Sequence, residues 1–148
     1  MFVTRFFNRF KQKSRTLQRQ KKLSEALIWT EIFSVIKGGT ESSKYYGGIL
    51  PAKQYIMEFG SPTLTRHELQ TVYWIFIEYE KWKDEQNAFD LMDLVIHLRK
   101  SNKVSSSWYQ ELRMDYLMID EVQDLTPATL DLFIRLTRNK VFFAGDTA

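Results

Sequence analysis

The order of apolar and polar positions predicts helices over most of the chain and strands only near its end. Apolar residues recur at helical spacing through residues 23–36, and the pair Gly38-Gly39 ends this segment. A second helix is predicted over residues 65–85. It opens with a capping box, in which Thr65 is the N-cap and Glu68 stands three residues further on.

The remaining helical part is less regular. Residues 40–63 are rich in Gly, Ser and Tyr, which predicts a loop region with one short helix. Residues 72–77 are apolar on nearly every side, as in a helix buried from several directions. "FDLMDLVIHLRK" predicts a further helix, and "VSSSW" after it is typical of a polar connector. The aromatic residues of the second helix could stack on bases, although core packing is favoured; they are Tyr73, Trp74, Phe76, Tyr79 and Trp82.

The final third predicts a strand, a helix and a second strand. "DYLMID" is a short apolar run ending in acids, which is typical of a buried parallel strand, and "KVFFAGD" predicts a second buried strand. Between them, Thr126 caps a helix whose first residue is Pro127. This order predicts a right-handed crossover unit of a parallel α/β sheet.

Ligands of such sheets bind at the carboxyl ends of the strands, where Asp120, Glu121 and Asp146 lie. Mg²⁺ prefers hard oxygen ligands and keeps several waters, so one carboxylate can hold it beside a triphosphate. A second carboxylate can orient or deprotonate the attacking water. Asp120 fits the first role and Glu121 the second. The alternative is a solvated acidic turn that caps the next helix, which Gln123 and Asp124 make less attractive.

Composition narrows the class of protein. The chain has 148 residues, of which 44% are hydrophobic and 26% charged, as in a soluble globular domain. It has no cysteine, which excludes disulfides and thiolate metal sites. His67 and His97 lie far apart, so structural or surface roles are favoured over metal binding. No apolar run approaches the roughly 18 residues of a membrane helix.

Positive charge is concentrated at the N-terminus. Residues 1–22 carry eight Lys or Arg and no acid, whereas the rest holds 13 basic and 18 acidic residues. This amphipathic start fits a solvated basic helix, a membrane-surface helix or mitochondrial presequence, or a phosphate-contacting segment. A fourth interpretation makes "FVTR" the remnant of a strand.

The acidic residues also belong to a longer pattern. "IDEVQD", followed 25 residues later by "AGDTA", resembles motifs II and III of superfamily 1 helicases of the UvrD/Rep type. The glutamine stands fourth in "DEVQD", as in that branch, and "DLMDLV" looks like the "DFDDLL" helix that precedes motif II. "WTEIFSVIKGG" and "VYWIFIEYEKWK" resemble the helicase-like region of large TPR- and ankyrin-repeat-containing proteins and their fungal and protist relatives.

The resemblance implies an α/β fold: a partial RecA-like P-loop NTPase domain, with parallel strands at its C-terminal end and a mostly α-helical inserted subdomain. Residues 1–22 would be the basic N-terminal segment, with a remnant of the motif Ia strand. Residues 23–112 would form the inserted subdomain. Residues 113–148 would form the strand–helix–strand unit that carries motifs II and III.

The resemblance also implies roles for individual residues. Asp120 would bind Mg²⁺, and Glu121 with Gln123 would act at the catalytic site on ATP. Gln123 and Asp124 would couple that site to motif III and to the nucleic acid. The residues that begin motif III are Gly145 and Asp146, and those of motif Ia that approach single-stranded nucleic acid are Thr4 and Arg5.

Other features of these helicases are missing from the 148 residues. There is no G-x-x-x-x-G-K-[ST] loop to cradle phosphates, no second RecA-like domain, and "AGDTA" stops one residue before the glutamine of motif III. We therefore expect a fragment of an ATP-dependent helicase or translocase acting on single-stranded DNA or RNA, inactive in isolation. The alternative is a non-catalytic nucleic-acid- or protein-binding module. An intracellular location, nuclear or cytoplasmic, is expected, with mitochondrial import as the alternative.

Overall fold

The computed structural model of the chain describes residues 5–8, 23–101 and 107–146. The first predicted helix is confirmed. Helix α1, Glu25–Thr30, begins at Ser24, whose Oγ accepts a hydrogen bond from the Leu27 N–H at 3.1 Å. It continues as a π-helix over Glu31–Lys37 and ends before the paired glycines.

The segment predicted as a loop region contains more helix than expected. It holds two 3-10 turns, the short helix α2 and a further π-helical turn, over Glu41–Lys44, Tyr46–Gly48, Ala52–Gln54 and Tyr55–Phe59. Short polar side chains support the first turn, because the buried Ser42 hydroxyl donates to the carbonyls of Lys37 and Gly39. Local hydrogen bonds of this kind form compact turns without helical periodicity in the sequence.

Helix α3, Arg66–Glu85, confirms the predicted capping box. The Glu68 N–H donates to Thr65 Oγ1 at 3.3 Å, and the Thr65 N–H donates to Glu68 Oε2 at 2.8 Å. Core packing is confirmed for the buried side chains Phe76, Tyr79 and Trp82. Both reciprocal bonds satisfy N–H groups that would otherwise lack a partner at the helix start.

The prediction that the centre of α3 is buried from several directions is wrong. Val72 and Ile75 are fully buried, whereas 45% of Trp74 and 38% of Ile77 are exposed. At about 100° per residue, Trp74 and Ile77 point away from the side that carries Val72. The helix therefore packs through one face, and its apolar centre extends around to the surface.

Two compact units divide the chain, and each is described by itself. One comprises Met1–Ile36 and Pro51–Phe89; the other comprises Lys37–Leu50 and Asp90–Ala148. The second unit takes part of the segment that the sequence assigned to an inserted subdomain, including α4, Leu91–Ser101, and α5, Ser107–Leu112. The assignment of residues 23–112 to an inserted subdomain stays a prediction. The predicted connector "VSSSW" is wrong at residues 107 and 108, which begin α5, and its other residues lie outside those described.

In the first unit, residues 5–8 form a helical stretch rather than a strand. Phe6 is buried against Tyr79 and Trp82, with ring centroids 5.2 and 5.6 Å apart respectively. Arg5 is exposed, and the rest of the proposed "FVTR" strand lies outside the described residues. The strand interpretation is wrong at Arg5, because the backbone of residues 5–8 is helical. This helical stretch packs its apolar side chains onto α3.

The predicted strand–helix–strand unit is confirmed in the second unit. Strands β1, Met114–Ile119, and β2, Thr137–Phe143, pair in parallel, and Leu117 lies opposite Val141. Helix α6, Pro127–Arg135, connects them and is capped by the Thr126 hydroxyl. The described chain is thus mixed helix and sheet, and mostly helical.

The prediction that both strands are buried is wrong for most positions. Met118 is 83% exposed, and Tyr116, Phe142 and Phe143 are each at least half exposed, while Ile119 is buried. An apolar parallel strand is buried when layers cover both faces of its sheet. Among the described residues the sheet has two strands, so much of its apolar surface faces solvent.

None of the described helices combines the length and hydrophobicity of a membrane span.

Candidate functional site

The carboxyl ends of the two strands bring four of the predicted residues to one edge of the sheet. Asp120 and Glu121 follow β1, whereas Gly145 and Asp146 follow β2. The strands stay connected beyond their last pair, because the N–H of Ala144 donates to the Ile119 carbonyl at 2.8 Å. The Val122 N–H then donates back to the Ala144 carbonyl at 3.1 Å. The two turns are therefore held side by side by backbone hydrogen bonds.

Glu121 has an unusual backbone conformation. Its φ is 51° and its ψ is 44°, which is the left-handed helical region that residues other than glycine rarely adopt. The Glu121 N–H donates to Asp120 Oδ1 at 3.0 Å, and the Glu121 carbonyl accepts from the Asp124 N–H at 2.9 Å. Hydrogen bonds on both sides of this residue maintain a strained conformation, which is common at functional sites.

Gln123 connects the two turns through its side chain. Its Nε2 donates a hydrogen bond to the Glu121 carboxylate. Its Oε1 lies against the backbone of Gly145, where the Cβ of any other residue would collide with it and with Val122 Cγ1. The amide thus spans the distance between the Glu121 carboxylate and the first turn after β2.

The turn after β1 leads directly into α6, which is anchored at its first residues. The Ala128 N–H donates to the carbonyl of Gly38 at 2.9 Å, and the buried Thr126 hydroxyl donates to Met92 Sδ at 3.5 Å. The paired glycines after the first helical segment therefore support the segment that carries the acidic residues. The sequence indicated that Gly38 ends a helix but gave no indication of this contact.

The carboxylates at this edge fit a hydrated magnesium ion by their chemistry. Asp120, Glu121, Asp124 and Asp146 are all exposed. Hard carboxylate oxygens open to water suit an ion that keeps much of its hydration shell and is shared with phosphate oxygens. The arrangement can therefore place one carboxylate on a metal and a second one beside it, next to an amide that restricts its position.

The two remaining predicted residues belong to the N-terminal segment. Arg5 is exposed in the first unit, and Thr4 is outside the described residues. The proposed contacts of Thr4 and Arg5 with nucleic acid stay a prediction.

One buried charge cluster was missed by sequence reasoning. Lys37 is fully buried, and its Nζ donates to Asp90 Oδ2 at 2.7 Å and also to Asp93. The two aspartates also bond each other's backbone N–H, each at 2.9 Å, and so cap α4. The three-residue spacing of the acids indicates the cap. No pattern indicated Lys37, which lies 53 residues before Asp90.

Comparison with known proteins identifies the family of this chain. Residues 5–148 match the family described as the UvrD/REP helicase N-terminal domain. The chain is 29% identical over 127 residues to human TPR and ankyrin repeat-containing protein 1, an alignment that covers 83% of this chain and 4% of that protein. No solved structure shows a significant match. The chain therefore belongs to the UvrD/REP helicase N-terminal domain family.

Proposed function

We propose that this chain carries the metal-binding and water-activating residues of an ATP-dependent motor that moves along single-stranded nucleic acid. The family supports a helicase-type role, and the edge of the sheet supports the residue roles within it. The chain would act together with a phosphate-cradling loop and a second RecA-like domain supplied outside these residues. On its own it would not hydrolyse ATP.

Asp120 would hold Mg²⁺ bound to the nucleotide phosphates. One Asp120 oxygen accepts a hydrogen bond from the Glu121 N–H, which orients the carboxylate and leaves its other oxygen for the ion. When bound, Mg²⁺ would neutralise charge that develops on the phosphate oxygens.

Glu121 would orient the attacking water and accept its proton. The left-handed backbone at Glu121 turns its side chain from the strand direction, and the Gln123 amide fixes one of its carboxylate oxygens. The other oxygen is available to a water molecule, which suits a general base. Asp124 and Asp146 would link the site to the nucleic-acid side.

The observation that carries this proposal is the position of the Gln123 side chain, which donates to the Glu121 carboxylate and lies against the backbone of Gly145. A solvated turn that merely caps α6 does not require it, because Thr126 already provides the cap. Through this connection, ATP binding or hydrolysis beside Glu121 would change the conformation of the segment that follows β2.

The test is ATP hydrolysis by the complete polypeptide that contains this chain. We expect Glu121→Gln to lower hydrolysis about 10²- to 10⁴-fold, as for loss of a general base, and to leave nucleotide binding intact. Asp120→Asn should weaken Mg²⁺-dependent nucleotide binding. Asp115→Asn is the matched control, because this exposed carboxylate lies near the start of β1.

Three results would contradict the proposal. Normal turnover by the Glu121→Gln protein would remove the assigned role of Glu121. Hydrolysis by the isolated 148-residue chain, abolished by the same substitution, would show that no further segment is needed. A complete protein that binds nucleic acid but neither binds nor hydrolyses ATP would favour the non-catalytic binding module instead.

A further inference from the structure

A basic pocket lies in the second unit, separate from the acidic residues at the edge of the sheet. It has a volume of about 610 Å³ and is open to solvent. The 3-10 turn at Tyr46–Gly48 and the last turns of α4 and α6 form its lining. We call it the Tyr46 pocket.

Its charge is positive. Arg99, Lys100 and Arg135 line the Tyr46 pocket, and no acidic residue lines it within the part of the chain that the structure describes. Asp131 stands next to it and bonds both arginines, at 3.0 Å from Arg99 Nε and 2.9 Å from Arg135 Nε. One carboxylate thus orients two guanidinium groups, and three cationic side chains line one pocket. Such a site attracts an anion, and guanidinium groups suit phosphate oxygens in particular.

An aromatic side chain stands at the mouth of the same pocket. Tyr46 is fully exposed, and Tyr45 lines the wall beside it. A fully exposed tyrosine presents both ring faces to solvent. Exposed aromatic rings next to cations are the usual means of binding single-stranded nucleic acid, because the rings stack on bases while the cations contact phosphates.

The turn that carries Tyr46 is held against α4. Gly48 has a φ of +72°, and a Cβ at this position would lie 2.8 Å from Cγ2 of Ile96. A glycine is therefore required both by the backbone conformation and by the close approach to the helix. The backbone that carries Tyr46 is therefore held close to α4, whose cations line the same pocket.

Basic residues in the last turn of a helix also offset the helix dipole, and this would account for the positions of Arg99, Lys100 and Arg135. It does not account for a fully exposed tyrosine on a glycine-supported turn beside them. The ring therefore provides the observation that separates a binding site from simple charge compensation.

We infer that the Tyr46 pocket binds single-stranded nucleic acid, with Tyr46 stacking on a base while Lys100 and Arg135 contact the adjacent phosphates. This rests on the proposed function for the class of ligand and adds a contact site that the acidic residues do not provide. DNA and RNA share the bases and phosphates that it would recognise.

The experiment is fluorescence anisotropy of labelled oligo-dT and oligo-U, of about 12 nucleotides, titrated with the 148-residue chain. ATP and Mg²⁺ are left out, so a failure of the proposed hydrolysis does not affect the result. We expect Tyr46→Ala to weaken binding about tenfold. We expect Lys100→Gln also to weaken binding, and to lower by about one the slope of the logarithm of the binding constant against the logarithm of the salt concentration.

Matched controls separate the pocket from general charge. Lys44→Gln removes an exposed lysine of the same segment that is paired with Glu41 and does not line the pocket. Tyr116→Ala removes an exposed tyrosine from the sheet. Both should bind like the unchanged chain. Competition with poly-glutamate and with inorganic phosphate tests whether any anion suffices.

Losses confined to Tyr46→Ala and Lys100→Gln, with weak competition by poly-glutamate and phosphate, would support the inference. Equal binding by Tyr46→Ala and the unchanged chain would overturn it, since stacking would then play no part. Displacement by poly-glutamate at matched charge would overturn it in favour of an acidic protein partner, and displacement by phosphate alone in favour of a free phosphate site.

Discussion

The side-chain amide oxygen of Gln123 occupies the space into which a Cβ at residue 145 would project, so the backbone of Gly145 and the amide are in direct contact. The same amide donates to the carboxylate of Glu121. Gln123, which follows β1, can therefore keep this position only because residue 145, which follows β2, has no side chain. The importance of glycine in "AGDTA" is thus explained by space rather than by backbone freedom.

We expect Gly145→Ala to displace the Gln123 amide and to release the Glu121 carboxylate. The new methyl group would also meet Val122 Cγ1 at 2.9 Å, so we expect a loss of about 1 kcal/mol in the free energy of unfolding, at the low end for overpacking because Gln123 can move. The measurement is the side-chain amide NMR signal of Gln123, together with urea unfolding. Ala144→Ser, at the exposed neighbouring position, is the control and should leave that signal in place.

The left-handed backbone of Glu121 gives a second prediction. Both Glu121→Gly and Glu121→Ala remove the carboxylate, but only glycine relieves the strain. We expect the glycine variant to be about 1 kcal/mol more stable than the alanine variant in urea unfolding. Equal free energies of unfolding for the two variants would show that the left-handed conformation at residue 121 is not strained. Strain would then give no support to a functional role of Glu121.

The buried ammonium group of Lys37 should be essential for stability. Lys37→Met leaves Asp90 and Asp93 side by side without their cation, and we expect a loss of about 3 kcal/mol in the free energy of unfolding. The same change at Lys44, whose exposed pair with Glu41 is screened by water, should cost about 0.5 kcal/mol or less. Similar losses for the two variants in denaturant unfolding would argue against a stabilising role of the buried cluster.

Stability should fall at alkaline pH because of Tyr55. Burial, together with the hydrogen bond and the negative charge of Glu31, raises the pKa of the Tyr55 hydroxyl far above its usual range. An unfolded tyrosine loses its proton near pH 10. The folded chain therefore retains a proton that the unfolded chain releases, so this contribution is complete below about pH 10 and declines as the pH rises beyond it.

Urea unfolding at pH 8 and at pH 11 tests this with Tyr55→Phe. At pH 8 the variant should be about 2 kcal/mol less stable, since the buried Glu31 carboxylate loses its 2.8 Å donor. Its stability should fall less between the two pH values. Some alkaline sensitivity should remain, because burial also raises the pKa of Tyr73, against the opposing effect of a hydrogen bond with the Ala52 backbone. The exposed Tyr116→Phe variant should behave like the unchanged chain.

Local chemistry explains which parts of the fold could be predicted. Thr65 and Glu68 are three residues apart, and Thr126 directly precedes Pro127, so each helix start could be identified within a few positions. The acids after "YLMI" could likewise be placed at a strand end, because a short apolar run that ends in polar residues has few other interpretations.

Relationships over long distances could not be predicted in this way. The pairing of Lys37 with Asp90, and the bond from Ala128 to the Gly38 carbonyl, join segments that have no pattern in common. The exposure of Met118 was mispredicted because an apolar run indicates that a strand favours burial. It does not indicate how many strands and helices cover the two faces of the sheet. The left-handed conformation of Glu121 has no signal in the sequence either, because a glutamate rarely adopts it.

Helix α6 has a mechanical consequence. It starts three residues after Asp124, is nine residues long and ends at Arg135, so it forms a rigid element of about 14 Å. Its N-terminal end follows the acidic turn in the chain, and Arg135 at its C-terminal end lines the Tyr46 pocket. A tilt of α6 when the acidic turn moves would shift the guanidinium group of Arg135 at its other end. A change at the acidic residues would then change the shape of the Tyr46 pocket.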